Sequence, residues 1–364
     1  MLDYYVGIPL LFFICVFRKK RQQPKGIQRV GILVNPALGD TLLASGPIVD
    51  IRRAFPRSDL FLFAAPSNIL AAKLIPAIDK IEVISIMNPL KAIRRMRASK
   101  LDLLVDFTSW QRITAAISAC SGAKFVAGYR TANQHRHFGY DKTVEHRSDR
   151  HELDNHRALA ASIGANGASE PKLIVSPERS FEIPRWDGEL IVLHAWPSGT
   201  RHWLREWPRD RWVELVKALN QPNRLFVITS APSDETRSVE FRDLLAAHGV
   251  ATRVFVGKTG LSSVANLLSR ASLLISVNTG IMHLGAVLGT PTVGINGPNA
   301  QLRWGPVGPR AIGIDTPDGS GGFLHLGFEF DGNPTDTMKR ISTQQVLDAA
   351  RILLNENVTP DSAR

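Results

Sequence analysis

Cysteine is almost missing from this sequence, with Cys15 and Cys120 the two in 364 residues. That excludes a disulfide framework and a cysteine-built zinc site, and it makes a reducing, cytoplasmic location the default. Long apolar runs are missing too: Tyr4 to Phe17 (YYVGIPLLFFICVF) has 14 residues, against the roughly 20 that a helix needs to cross a bilayer. Acidic residues are in deficit. The 44 Lys plus Arg face 33 Asp plus Glu, a net charge of +11 that points to anionic partners such as phosphorylated ligands, acidic lipid headgroups or nucleic acid. No RRM, KH or finger pattern is present and the cations are dispersed, so nucleic acid is not expected as a partner. Short-period repeats and low-complexity tracts are also lacking. What remains is 44% apolar and 21% charged over a length suited to two ordinary domains, which excludes wholesale disorder and a polytopic membrane protein.

The apolar opening is followed at once by Arg18, Lys19, Lys20 and Arg21. A secretory leader has its positive charge before the apolar stretch and a small-residue cleavage site after it, so cleavage is not expected. We read residues 4–21 as a membrane-surface element, aromatics and aliphatics in the interface and the basic cluster on anionic headgroups. The alternative is an apolar arm packed on the protein's own body. Gly7 and Pro9 argue against a long straight helix.

From Arg29 onward short β-type runs alternate with helix-type stretches. Strands are expected at 29–35, 60–64, 81–86 and 101–106, with a helical pattern from the Gly-Asp turn to about Phe55. A second series follows, with strands at 190–194, 225–229, 273–277 and 292–295 and helices at 207–219, 264–269 and 282–288. This is α/β alternation, hence mostly parallel sheets covered by helices. The expected organisation is a membrane-surface segment at 1–27, a Rossmann-like domain at 28–175 and a linker at 176–189 containing Pro177 and Pro184. A second Rossmann-like domain at 190–345 and a helix and tail at 346–364 complete it.

Three stations carry chemistry. The first, Asn35 to Leu43 (NPALGDTLL), follows the first strand, at the edge where open α/β sheets bind ligands. Gly39 permits a sharp turn and close approach, and the Asp40 carboxylate is either a base or a helix N-cap. The second is His194 to Arg201 (HAWPSGTR) with Arg205-Glu206-Trp207-Pro208, which suits a diphosphate or forms a solvated Arg/Glu loop opening a helix at Pro208. Trp196 and Trp203 are available there to stack on a base or sugar. The third is Ser276 to Leu284 (SVNTGIMHL). Its strand opens directly into a helix, which aims N–H groups at an anion or simply uses Asn278 or Thr279 as cap, with His283 in the first turn. Downstream, Asn296-Gly297-Pro298 and Arg303-Trp304 could close round a base or sugar. His135, His137 and His146, in a His/Arg-rich stretch to Arg150, are read as a solvated polar loop in preference to ligands or acceptor contacts.

With these stations in this order the chain resembles the glycosyltransferase family 9 heptosyltransferases of lipopolysaccharide inner-core synthesis. Gly39-Asp40-Thr41-Leu42 with Pro47 is similar to the family's GD-x-L-x(4)-P block. Arg205-Glu206-Trp207-Pro208 is similar to its basic-x-Trp-Pro block, and Asn278-Thr279-Gly280, His283-Leu284 and Gly289-Thr290-Pro291-Thr292 to its D-T-G-x-x-H-L…G-T-P-T signature. Gly122-Ala123-Lys124 to Gly128-Tyr129 and His151-Glu152 to Leu159 add to the likeness, which spans roughly residues 28–310.

The resemblance implies a GT-B fold, two Rossmann-like domains facing a cleft that closes before chemistry, and inverting transfer from ADP-heptose without a metal or other cofactor. Asp40 would deprotonate the acceptor hydroxyl, with Gly39 and Thr41 on the acceptor side. Ser198, Thr200, Arg205, Asn278, Thr279, Gly280 and His283 would hold the donor, and Asp234 or Glu235 its ribose hydroxyls. Implied partners are a nucleotide-diphosphate sugar and an anionic glycolipid acceptor, at the inner face of the bacterial inner membrane. Two residues depart from the pattern: Asn278 stands where the family has Asp, and Arg205 where it has Lys. Asn278 is the argument for two rivals, a transferase for another nucleotide sugar and surface glycan, and a catalytically weak scaffold.

Overall fold

The computed structural model describes residues 7–16, 18–34, 36–176, 186–199, 201–257, 260–324 and 336–355, and of Leu10 the backbone alone. Residues 4–6 and Phe17 of the amino-terminal run, Asn35, Thr200, residues 177–185 of the expected linker and residues 356–364 of the tail lie outside the described residues. The chain divides into two compact units, Met1–Ile174 and Val175–Arg364.

The first unit runs α1 (Gly7–Cys15), β1 (Arg29–Leu33), α2 (Leu38–Leu43), α3 (Ser45–Ala54), β2 (Asp59–Ala64), α4 (Ile69–Ala72), β3 (Lys80–Val83), α5 (Pro89–Ala98), β4 (Leu103–Asp106), α6 (Arg112–Ala119), β5 (Phe125–Thr131), a 3-10 turn at Arg136–Gly139, β6 (Lys142–His146) and α7 (Glu152–Ala161). The six strands pair in parallel in the order β3-β2-β1-β4-β5-β6. Apolar side chains on both faces explain this buried parallel sheet. Val30, Ile32, Leu60, Leu62, Leu103 and Val105 point to one core with Ile48, Ile51 and Leu159. Their neighbours Leu33, Phe61, Phe63, Leu104 and Val126 point to the other, with Leu11, Ala92, Met96 and Ile117. Thus α1, α5 and α6 share one face, and α3 and α7 the opposite one.

The second unit runs β7 (Glu189–His194), a 3-10 turn at His202–Arg205, α8 (Arg209–Leu219), β8 (Arg224–Ser230), α9 (Glu235–Ala247), β9 (Thr252–Val256), α10 (Leu261–Leu268), β10 (Leu273–Val277), α11 (Gly280–Val287), β11 (Thr292–Ile295), α12 (Gln301–Trp304), β12 (Ala311–Ile314) and α13 (Thr343–Leu354). Its parallel sheet has the order β12-β11-β10-β7-β8-β9. Numbered within each unit, both sheets read 3-2-1-4-5-6, the doubly wound order, in which ligands sit outside the carboxyl ends of the two central strands. Those strands are β1 and β4 in the first unit, β7 and β10 in the second. The helix α13 opens on a capping box of Ser342 and Gln345 and places Val346, Ala350 and Leu353 in the core of this unit.

Several expectations change. The helical stretch to Phe55 is two helices meeting at Ala44, because Pro47, in the first turn of α3, has no N–H to continue the ladder. The His/Arg-rich stretch is solvated only in part: His135 and residues 147–149 are exposed, but Arg136 and Asp141 are buried and β6 ends on a buried His146–Glu152 pair at 2.9 Å. The amino-terminal run packs on its own unit through Leu11 and Cys15. Of the basic cluster, Arg18 and Arg21 both pair with the buried Asp141 at 2.8 Å, so these two cations share a partner within the unit.

Candidate functional site

In the first unit the station after β1 is a short helix with a tightly held start. The N-cap of α2 is Ala37, in extended conformation and without a side-chain cap, and Asp40 lies in the first turn. The capping alternative for Asp40 therefore fails, and its carboxylate sits half-buried where the helix dipole favours negative charge. Gly39 is a half-buried helical residue of ordinary φ. Thr41 is fully buried: its Oγ1 donates to the Ala37 carbonyl at 2.8 Å and accepts from Asn68 Nδ2 at 2.7 Å. Its hydroxyl lies inside the unit, so it supports the loop from within and does not line an open acceptor surface.

The neighbouring carboxylate at the end of β4 is of another kind. Asp106 Oδ1 accepts from the Thr108 N–H at 2.9 Å and its hydroxyl at 2.5 Å, while Oδ2 accepts from Tyr140 at 2.9 Å and Ser118 at 2.8 Å. Arg136 Nη2 completes the set at 3.5 Å and also donates to the Thr108 carbonyl at 2.7 Å. Both Asp106 and Arg136 are at 0% exposure. Tyr140 closes over Gly128, where a Cβ would lie 2.5 Å from the ring. Burial pushes the Tyr140 hydroxyl's pKa well up, keeping it a donor. Beside this network the Tyr129 hydroxyl shares a hydrogen bond with His156 Nδ1 at 2.8 Å, and burial lowers the His156 pKa to about 4. The fully saturated Asp106 is a structural bolt.

In the second unit the loops after β7 and β10 are joined by one side chain. Arg205 Nη2 donates to the Ser198 carbonyl at 2.6 Å and Nη1 reaches the Asn278 carbonyl at 3.5 Å. Burial lowers its pKa without depriving it of charge at neutral pH, and no carboxylate pairs with it among the described residues. Thr279 follows Asn278 directly and caps α11, its Oγ1 accepting from the Met282 N–H at 3.4 Å, with Gly280 as first helical residue. Three expected donor residues, Ser198, Arg205 and Asn278, thus come together, with Thr279 and Gly280 adjoining them. Thr200 lies outside the described residues.

The other expected contacts turn inward. Asn278 Nδ2 donates to Asn296 Oδ1 and to the Trp304 carbonyl, both at 2.8 Å. An aspartate cannot donate either bond, so this residue's amide braces the loop from beneath. Asn296, Arg303 and Trp304 are themselves buried, which places them under the station, and His283 is buried in α11. Trp196 is not available for stacking: its indole donates to Ser238 at 2.7 Å and lies 4.0 Å beneath the Arg237 guanidinium. Trp203 is 52% exposed.

Glu206, awkward beside an anion, is held by Arg237 through bonds of 3.1 and 2.7 Å. Arg237 also lies 3.6 Å from Asp234, which sits beside its neighbour Glu235 at the start of α9. Sequence reasoning missed Arg237, Asp106 and Arg136. His194, at the end of β7, is buried against Thr229 at 2.9 Å, and burial lowers its pKa to about 4.

Comparison with known proteins adds an independent finding. The model of "Glycosyltransferase family 9 (heptosyltransferase)" matches residues 90–320. Lipopolysaccharide heptosyltransferase 1 of Escherichia coli K12 is 24% identical over 289 residues, covering 74% of this chain and 88% of the relative. The solved structure of E. coli ADP-heptose lps heptosyltransferase II superposes with a TM-score of 0.70 at 17% identity, over 90% of this chain and 99% of that one. E. coli heptosyltransferase WaaC with ADP gives 0.65 at 20% identity, over 88% and 98%. At these identities the structural likeness is one of fold, the GT-B fold.

Proposed function

This chain belongs to glycosyltransferase family 9, the heptosyltransferases, and from that membership we propose that it transfers a heptose-like sugar, with inversion and without a metal, from an ADP-sugar to a lipopolysaccharide core. The observation that carries this reading is the Arg205 guanidinium, facing carbonyl oxygens of both loops at the second unit's topological switch point. Carbonyl dipoles orient the fork and leave its charge uncompensated, so a departing diphosphate finds positive potential already in place. The first N–H groups of α11, behind Thr279, add theirs.

In this mechanism Asp40 takes the proton from the acceptor hydroxyl as it attacks the anomeric carbon, the C–O bond to the diphosphate breaks, and Arg205 receives the developing negative charge. Asp234, at the end of the β8 loop, accepts from the ribose hydroxyls, with Glu235 beside it. The ADP carried by the WaaC structure and the ADP-heptose named for heptosyltransferase II support this donor. The enzyme works at the inner face of the bacterial inner membrane, with residues 4–21 as its peripheral attachment and an anionic glycolipid as acceptor. The packing role of the Asn278 amide accounts for an Asn at this position without calling on either rival.

Calorimetric titration of the full chain with ADP, UDP and GDP, followed by ADP release from ADP-heptose in the presence of a deacylated core acceptor, tests the proposal. ADP should bind tightest and release should need the acceptor. Equal binding of all three, or none, would overturn it.

A further inference from the structure

Helix α5 carries Lys91, Arg94, Arg95 and Arg97, is followed by Lys100, and has no acidic residue. Two of these cations have structural tasks. Arg95 bonds the Val83 carbonyl and lies 3.5 Å from Glu82, and Arg97 Nε donates to the Cys120 carbonyl at 2.9 Å. Lys91, Arg94 and Lys100 make no ion pair with a described residue. They converge with Arg29 and Lys80 on a groove of about 800 Å³ between α5 and the outer face of β1, β2 and β3. Glu82 is the one carboxylate lining it among the described residues. At its floor Lys80 Nζ lies 5.1 Å from the centre of the Phe61 ring. Lys100 has φ +48°, a left-handed position at a helix end where glycine is usual, so a cation is kept there at some backbone cost.

The same sheet face is apolar beyond the groove. Helix α1, which shares that face, leaves Phe13 74% exposed, with Phe12, Ile14 and Val16 also open, and Phe138 packs edge-on to Phe12 at 6.0 Å. Met87 and Leu90, at the start of α5, are 88% and 68% exposed. Exposed aromatics and aliphatics beside unpaired cations are what the surface of an anionic bilayer complements.

We propose that the face of the first unit covered by α1 and α5 docks on an anionic lipid bilayer, with lipid phosphates entering the groove lined by Lys80, Lys91, Arg94 and Lys100. This extends the membrane part of the reading above and is independent of the sugar chemistry. The groove's Arg29 and Lys80 open β1 and β3, whereas Asp40 follows the carboxyl end of β1.

Vesicle co-sedimentation of the full chain tests it, using phosphatidylcholine mixed with phosphatidylglycerol and phosphatidylcholine alone. The triple variant Lys91→Gln/Arg94→Gln/Lys100→Gln should lose on the order of a hundredfold in partitioning to the anionic vesicles, each cation contributing about a factor of five. Its melting temperature should be unchanged, since these side chains are exposed. A variant with the same charge loss elsewhere, Lys217→Gln/Arg253→Gln/Arg270→Gln, should bind like the native chain. Equal loss in both triple variants would overturn the proposal, as would tighter retention of the native chain by random-sequence DNA than by vesicles. Binding that Phe12→Ser/Phe13→Ser abolishes and the α5 variant leaves intact would overturn it while sparing the amino-terminal attachment. Native chain that sediments with neither vesicle would overturn both.

Discussion

The two units share one strand order and hold the loops at their switch points by opposite means. In the first, a buried carboxylate, Asp106, is saturated by a buried arginine, a tyrosine and two hydroxyls. In the second, an arginine spans two loops on backbone carbonyls, with an asparagine amide bracing one of them from beneath. A saturated carboxylate fixes geometry and has no capacity left for a proton from outside. A cation facing only dipoles stays electropositive and suits an incoming anion. The comparison separates a charge fixed by its neighbours from one left uncompensated, and it sets Asp106 apart from the base role proposed for Asp40.

The sharpest way to break that distinction is Asp40→Asn. It should lower kcat on the order of 10² to 10⁴-fold, the range for removal of a general base, with ADP affinity unchanged by calorimetry. A variant of unchanged kcat would remove Asp40 from the chemistry. Arg136→Met should instead act on stability, costing roughly 3–5 kcal/mol in urea unfolding because Asp106 is left as an uncompensated buried charge; a cost below about 1 kcal/mol would show the bolt to be ornamental. Arg205→Ala should weaken ADP binding about 10- to 100-fold, the loss of a charge-assisted hydrogen bond, with little effect on melting. Arg205→Lys, which keeps the charge and loses the fork, should fall between.

The smallest effect is on pH dependence. His156 and His194 are buried neutral with pKa values of about 4. Between about 6.5 and 4 the unfolded chain takes up protons that the folded chain refuses. Stability should therefore fall as pH drops through that window, by up to one proton of linkage for each histidine. Urea midpoints of His194→Gln across it should show a shallower slope than the native chain, and an unchanged slope would contradict the buried neutral assignment.

What could be read from the sequence follows the same division. The strands β1, β7 and β10 and the turns after them are local signals, an apolar run ended by small or polar residues, and they lead to Asp40, Ser198 and Asn278 without any tertiary knowledge. Four strands escaped notice: β6, β9 and β12 are edge strands whose partly exposed residues dilute the apolar pattern, and β5, although interior, has its apolar run interrupted by Gly128 and Arg130. Arg136 and Asp106 are 30 positions apart, and Arg237 and Glu206 are 31. Nothing in their neighbours marks them as partners. Trp196 misleads for the same reason: its burial is decided by α9, which lies well along the chain.

The central claim is that the two loops at the second unit's switch point bracket the donor diphosphate through Arg205. Amide hydrogen exchange with and without ADP measures this directly. The account predicts slowed exchange in residues 198–199 and 278–283, lost together in Arg205→Ala. Slowing confined to other segments, or present in those loops but indifferent to Arg205, would contradict it.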